Sequence, residues 1–181
     1  MKKDIKLLCI LFFFICNKNY SQKIMNLDLV TGINHNDLVG DSLKLESQTF
    51  FAFKKMKEAL QYFEGEHDFS AFRSSECQAK SPVRTMSRIS LTNYHPFYLF
   101  KFSANGFLHH QIRNMMGAIL YIGKGNYPSN YIEELLLSKD RTKSPPTFSP
   151  DGLYLSGVDY DVRYAFPFMR RTVNIFDNNH L

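Results

Sequence analysis

"VRTMSRISLTNYHPFYLFKFSA", residues 83–104, decides the fold class. Val83, Thr85, Ser87, Ile89 and Leu91 alternate with Arg84, Met86, Arg88 and Ser90. A period of two marks a strand, here with one charged face on which Arg84 and Arg88 sit together. His95-Pro96 makes a turn, and Phe97 to Ala104 is a second strand. So short a connection joins antiparallel neighbours and excludes a parallel βαβ winding here.

Helical periodicity surrounds this pair. A helix is expected to start near Phe51, with Phe53, Met56, Leu60 and Phe63 at three- and four-residue spacing, and to stop at Gly65. After Asn105-Gly106, the residues Leu108, Ile112, Met115, Ile119 and Ile122 form the stripe of a core helix that Gly123 to Gly125 end. Pro128 suits the start of a third helix, "SNYIEELLLSK", and "LYLSGVDYDV" is a last strand. The order helix, strand pair, helix, helix, strand predicts an α+β domain, an antiparallel sheet with helices packed on it.

The 181 residues, 44% hydrophobic and 15% aromatic, suffice for a real core and exclude global disorder. Four segments are expected. Residues 1–22 have a basic start and an apolar run from Ile5 to Cys16, too short for a comfortable transmembrane helix; they are signal-like or a misassigned start that does not belong to the fold. Residues 23–50 are polar and weakly patterned, a linker or remnant. Residues 51–168 form the domain, and 169–181 a tail. Cys9, Cys16 and Cys77 have no metal-binding spacing and suggest reduced thiols.

The net charge of +5 is a mild bias, but ten cations oppose four anions between Ser70 and Lys143. That surplus suits a polyanion such as RNA as well as a solvated basic surface. Arg73, Lys80, Arg84, Arg88, His109, His110 and Arg141 are the candidate RNA contacts. Phe69, Phe72, Tyr94, Phe97, Tyr98 and Phe107 flank them and could stack on bases, although most are at core spacing. Adjacent helical histidines diverge by about 100°, so His109 and His110 would not share a metal, and partial burial or a phosphate contact suits them better. No metal site, nucleophile triad or phosphate-binding glycine loop can be assembled.

Arg113 is the sharpest feature. It follows Ile112 on the apolar stripe, where a guanidinium must be paired or reach water. It could snorkel to solvent, or wait for a carboxylate or phosphate in a cleft.

"GEHDFSAFRSSECQAKSPVRTM", "FSANGFLHHQIRNMMGAIL", "GKG" and "DRTKSPPTFSPDGLYLSGVDYDVRY" together resemble the C-terminal half of the tRNA pseudouridine synthase A family. The resemblance implies an isomerase that converts uridine to pseudouridine in the anticodon stem-loop of tRNA. It implies no cofactor, a homodimer with a basic RNA cleft, and a place in the cytoplasm rather than at a membrane. In that family an aspartate attacks the flipped uridine, the glycosidic bond breaks, and the base rotates and reattaches through carbon. Arg113 matches the arginine that pairs with the aspartate. The aspartate's own R-T-D-x-G-V-H-like motif has no match in residues 1–50, where Asp28, Asp37 and Asp41 have other neighbours. The chain is therefore expected to be truncated and to make no pseudouridine alone. The alternative is a catalytically inactive RNA-binding or dimerisation fragment. Without its aspartate, Arg113 would need solvent or a substitute such as Asp140, and if poorly paired Arg113→Met should stabilise the chain.

Overall fold

The computed structural model describes residues 24–34, 46–94 and 97–165. Among these, five strands form one sheet: β1 (Ile24–Asn34), β2 (Gly65–Asp68), β3 (Val83–Tyr94), β4 (Phe97–Ala104) and β5 (Tyr154–Tyr160). Three helices accompany it, α1 (Glu46–Gln61), α2 (Gln111–Gly123) and α3 (Tyr131–Ser138). The sheet order is β2-β3-β4-β1-β5 and every neighbouring pair is antiparallel. The α+β architecture expected from residues 83–104 is the one observed, and no described helix is long and apolar enough to cross a membrane.

The helix-facing side of the sheet follows from β4. Tyr98, Phe100, Phe102 and Ala104 are all buried, with the Phe100 and Phe102 rings stacked at 6.4 Å. Met56, Ala59, Leu60 and Phe63 from α1 and just beyond it, with Ile112, Met115, Ile119 and Ile122 from α2, join them in one cluster. Truncating one of these large aromatics to alanine should cost about 3 to 5 kcal/mol. Of the flanking aromatics, Phe69, Phe72, Tyr98 and Phe107 are core, while Tyr94 and Phe97 are partly exposed. Cys77 is a buried free thiol, and Cys9 and Cys16 lie outside the described residues.

Four features differ from the sequence reading: α1 starts at Glu46 instead of near Phe51, inside the expected linker or remnant, and three concern the sheet. Residues 24–34, expected to be linker, are β1, which pairs with β4 on one side and β5 on the other. Its Leu29 and Thr31 lie opposite Phe102 and Phe100 and are buried. The second is β2, four residues paired to β3. The third is a bulge in β3: Met86 lies opposite Ala104 but Arg88 lies opposite Ser103, so Ser87 is an extra residue. The alternation changes phase there. Met86 and Leu91 both reach the core, and Arg84 and Arg88 fall on opposite faces instead of sharing one. Residues 1–22 and the tail 169–181 lie outside the described residues.

Candidate active site and nucleic-acid interface

The start of α2 brings three of the singled-out residues together, Arg113 in its first turn and His109 and His110 just before it. His110, just before it, is left-handed at φ 60°, ψ 6°. That conformation costs a non-glycine residue on the order of 1 kcal/mol and is held here by surrounding bonds. Asn114 N–H donates to the His110 carbonyl, and the buried Gln111 side chain accepts from Leu108 N–H at 2.8 Å. Because the helix begins only at Gln111, the two histidines do not diverge as helical neighbours would. Their rings stack at 3.9 Å. The described residues contain no cluster able to hold a metal ion.

Arg113 is half-buried and neutrally partnered. Its Nε donates to the Phe148 carbonyl at 2.8 Å, and its terminal nitrogen lies 3.1 Å from His110 Nε2. A guanidinium only donates, so Nε2 accepts and the His110 proton sits on Nδ1. Burial lowers the His110 pKa, and His109, Arg113 and Arg141 depress it further against the opposing pull of Glu76. Among the described residues no carboxylate pairs with Arg113. Asp140, the suggested substitute, is engaged elsewhere. It accepts from the Thr142 hydroxyl at 2.7 Å and the Thr142 N–H at 2.9 Å, bonds that hold its carboxyl below the usual value. With two neutral acceptors in place, Arg113 is not left bare, so the condition under which Arg113→Met should stabilise the chain is not met.

What holds Phe148 is the segment 144–148, which lies across α2 as a strap. Phe148 N–H donates to the Arg113 carbonyl at 3.1 Å. Thr147 Oγ1 donates to Asn114 Oδ1 at 2.7 Å. The backbone of Pro146 comes so close to α2 that a Cβ built on Gly117 would stand 2.1 Å from its carbonyl oxygen. Glycine is required there by space.

Arg141 ties this strap down. Its two terminal nitrogens donate to the Ser144 and Pro145 carbonyls at 3.0 and 3.3 Å, and to Asn114 Oδ1 and Thr147 Oγ1 at 3.0 Å each. Four of its five N–H groups are so accounted for. Asn114 Nδ2 in turn donates to the Phe72 carbonyl. On the other side, His109 N–H reaches Cys77 Sγ, and Arg73 donates to the Cys77 carbonyl at 2.6 Å.

Arg73, His109, His110, Arg113 and Arg141 therefore belong to one connected region. Lys80 is exposed on the loop before β3. Arg84 donates to the Ser81 and Val83 carbonyls, and its Nε approaches Gly106. Arg88 is exposed on the far face. Sequence reasoning missed Asn114 and Thr147. The signal for Asn114 was a polar residue at a fully helical, buried position beside Arg113. Asp28, the one of the three aspartates within the described residues, is buried in β1 and accepts from the Ser103 hydroxyl.

A family model for tRNA pseudouridine synthase matches residues 59–161. Among curated proteins, the tRNA pseudouridine synthase A of Methylobacillus flagellatus is 57% identical over 120 residues, covering 66% of this chain and 46% of the relative. That of Nitrosomonas eutropha is 54% identical over 114 residues, covering 63% and 41%. The chain thus spans less than half the length of the curated relatives it matches.

Proposed function

This chain belongs to the tRNA pseudouridine synthase family, and from that premise we propose that it serves the isomerisation of uridine to pseudouridine in the anticodon stem-loop of tRNA. The observation that supports this best is Arg113: a guanidinium clamped by a carbonyl and a neutral imidazole, its charge left unmatched by any described carboxylate. Such a cation, with three N–H groups to spare, suits an anion that enters the site. In this reading it pairs with the nucleophilic aspartate and keeps it ionised and aimed at the flipped uridine. No residue of this chain is assigned as that aspartate.

Arg73, Lys80, Arg84 and the two histidines then contribute phosphate contacts, whereas Arg88, on the other face of the sheet, and Arg141, whose terminal N–H groups the strap and Asn114 take up, do not. The reaction needs no cofactor in this reading, and the working form is a cytoplasmic homodimer on tRNA.

The test is pseudouridine formation in tRNA by the purified chain, alone and mixed with the N-terminal half of the Methylobacillus relative. Product is expected only in the mixture, and Arg113→Lys should lower it at least a hundredfold. No product in the mixture, with tRNA still bound, would favour an inactive RNA-binding fragment. Product from the chain alone, lost in Asp28→Asn, would assign the carboxylate to Asp28.

A further inference from the structure

We propose that Arg141 is a positioning residue for Arg113, acting through Asn114, Thr147 and the strap rather than by touching RNA. This rests on the reading that Arg113 is the working cation of the site. The physical argument begins with length. An arginine side chain on α2 has four rotatable bonds and much rotamer freedom, which must be removed before its head can be aimed.

Two contacts remove it: the Phe148 carbonyl at Nε, and His110 Nε2 at a terminal nitrogen. The Phe148 carbonyl is a loop carbonyl, so its position is only as fixed as the strap. The strap is fixed by Arg141, which binds it at three places, the Ser144 carbonyl, the Pro145 carbonyl and Thr147 Oγ1, and anchors it to Asn114 Oδ1 on α2. Asn114 follows Arg113 directly and is itself pinned to the Phe72 carbonyl at 2.8 Å. Arg141 and Arg113 thus grip opposite ends of one five-residue segment.

Burial lowers the Arg141 pKa, yet its charge persists, so the four bonds are charge-assisted ones in a partly dry setting. A cation contacting phosphate would need those same N–H groups free.

The test follows the Arg113 Nε–H by nitrogen-15 NMR of the whole chain and measures its exchange with water. Arg141→Ala should speed that exchange at least tenfold, Thr147→Val by a smaller factor, and Arg141→Lys should restore part of the protection. Tyr131→Phe is the control. It removes the 2.9 Å bond from the Tyr131 hydroxyl to the Lys143 carbonyl, just before the strap, without touching Asn114. It should lower the melting temperature and leave Arg113 exchange within twofold. Affinity for tRNA should also stay within twofold in Arg141→Ala.

Unchanged Arg113 exchange in both Arg141→Ala and Thr147→Val overturns the proposal. So does an equal effect of Tyr131→Phe, or a tenfold loss of tRNA affinity in Arg141→Ala, which would make Arg141 an RNA contact. A wild-type chain that yields no pseudouridine in the complementation assay counts against the proposed reaction and leaves the exchange measurements standing as they fall.

Discussion

Arg113 and Phe148 hold each other twice: the side-chain Nε of Arg113 donates to the Phe148 carbonyl at 2.8 Å, and the Phe148 N–H donates to the Arg113 carbonyl at 3.1 Å. The reciprocal pair couples a helix residue to a loop 35 positions away, so anything that shifts the loop shifts the arginine.

Removing that arginine should therefore cost stability. Arg113→Met keeps the stem but leaves the Phe148 carbonyl without its side-chain donor. The expected loss is about 1 to 2 kcal/mol, the lower part of the range for a hydrogen bond to a charged group because the site is half-exposed. Urea denaturation of both proteins measures it. A stabilised mutant would mean that the two neutral partners do not compensate for burying the charge.

Gly117→Ala tests the strap sterically. The new methyl would meet the Pro146 carbonyl, backbone that can move only by lifting the segment. A loss of about 1 to 3 kcal/mol is expected, as for overpacking elsewhere. Faster proteolytic cleavage between 144 and 148 should accompany it. A loss below about 0.5 kcal/mol, with cleavage unchanged, would show that the strap rests lightly on α2.

The third prediction concerns pH. The folded-state pKa of His110 lies below its ordinary value, chiefly through burial and then through His109 and the neighbouring arginines. Between the folded and unfolded pKa values the unfolded chain binds more protons, so stability rises with pH in that window. The stabilising contribution is complete above about 6.5, the unfolded value, and is lost as pH falls through the folded pKa. Protonation also removes the acceptor that Arg113 uses. His110→Asn, which tolerates the left-handed backbone, should flatten the stability profile between pH 5 and 7. A profile of unchanged slope would assign the dependence to another group.

Salt dependence should separate the two strand arginines. Binding of tRNA should weaken steeply with salt, given the cation surplus between Ser70 and Lys143. Because the bulge at Ser87 puts Arg84 and Arg88 on opposite faces, only one of them can face a given RNA surface. Arg84 approaches Gly106 at the entry to the α2 loop. Arg84→Ala should reduce the log–log slope by about 1, and Arg88→Ala should leave it unchanged. The reverse result would put the RNA on the other side of the sheet.

How much of this was legible in the sequence depended on whether a local rule carried the information. The α2 stripe from Leu108 to Ile122 and the β3–β4 hairpin declare themselves, because apolar periodicity is local. The bulge does not: Met86 and Ile89 are both apolar, and only pairing with Ala104 and Ser103 reveals the extra residue between them. In β1 the alternation of Leu27, Leu29, Thr31 and Ile33 was present but diluted by Asn26, Asp28 and Gly32. As an inner strand paired on both edges, it depends on partners distant in sequence. The motifs "HHQIRNMMGAIL" and "DRTKSPPTFSPDG" marked the site region. Their joining through Arg141, Asn114 and Gly117 is tertiary and could be read only from the folded chain.

The position of β1 bears on how this chain comes off the ribosome. Among the described strands, β1 comes first in the chain yet is an inner one, bounded by β4 on one edge and on the other by β5, which follows all of them. While residues between them are synthesised, its second edge presents unpaired N–H and C=O groups, a template for a neighbouring nascent chain. Closing the sheet must await Tyr154–Tyr160 and bear the entropy of a very long loop. A ribosome that pauses before Tyr154 would thus hold an unsealed sheet, and it is the making of β5, rather than of β1, that closes it.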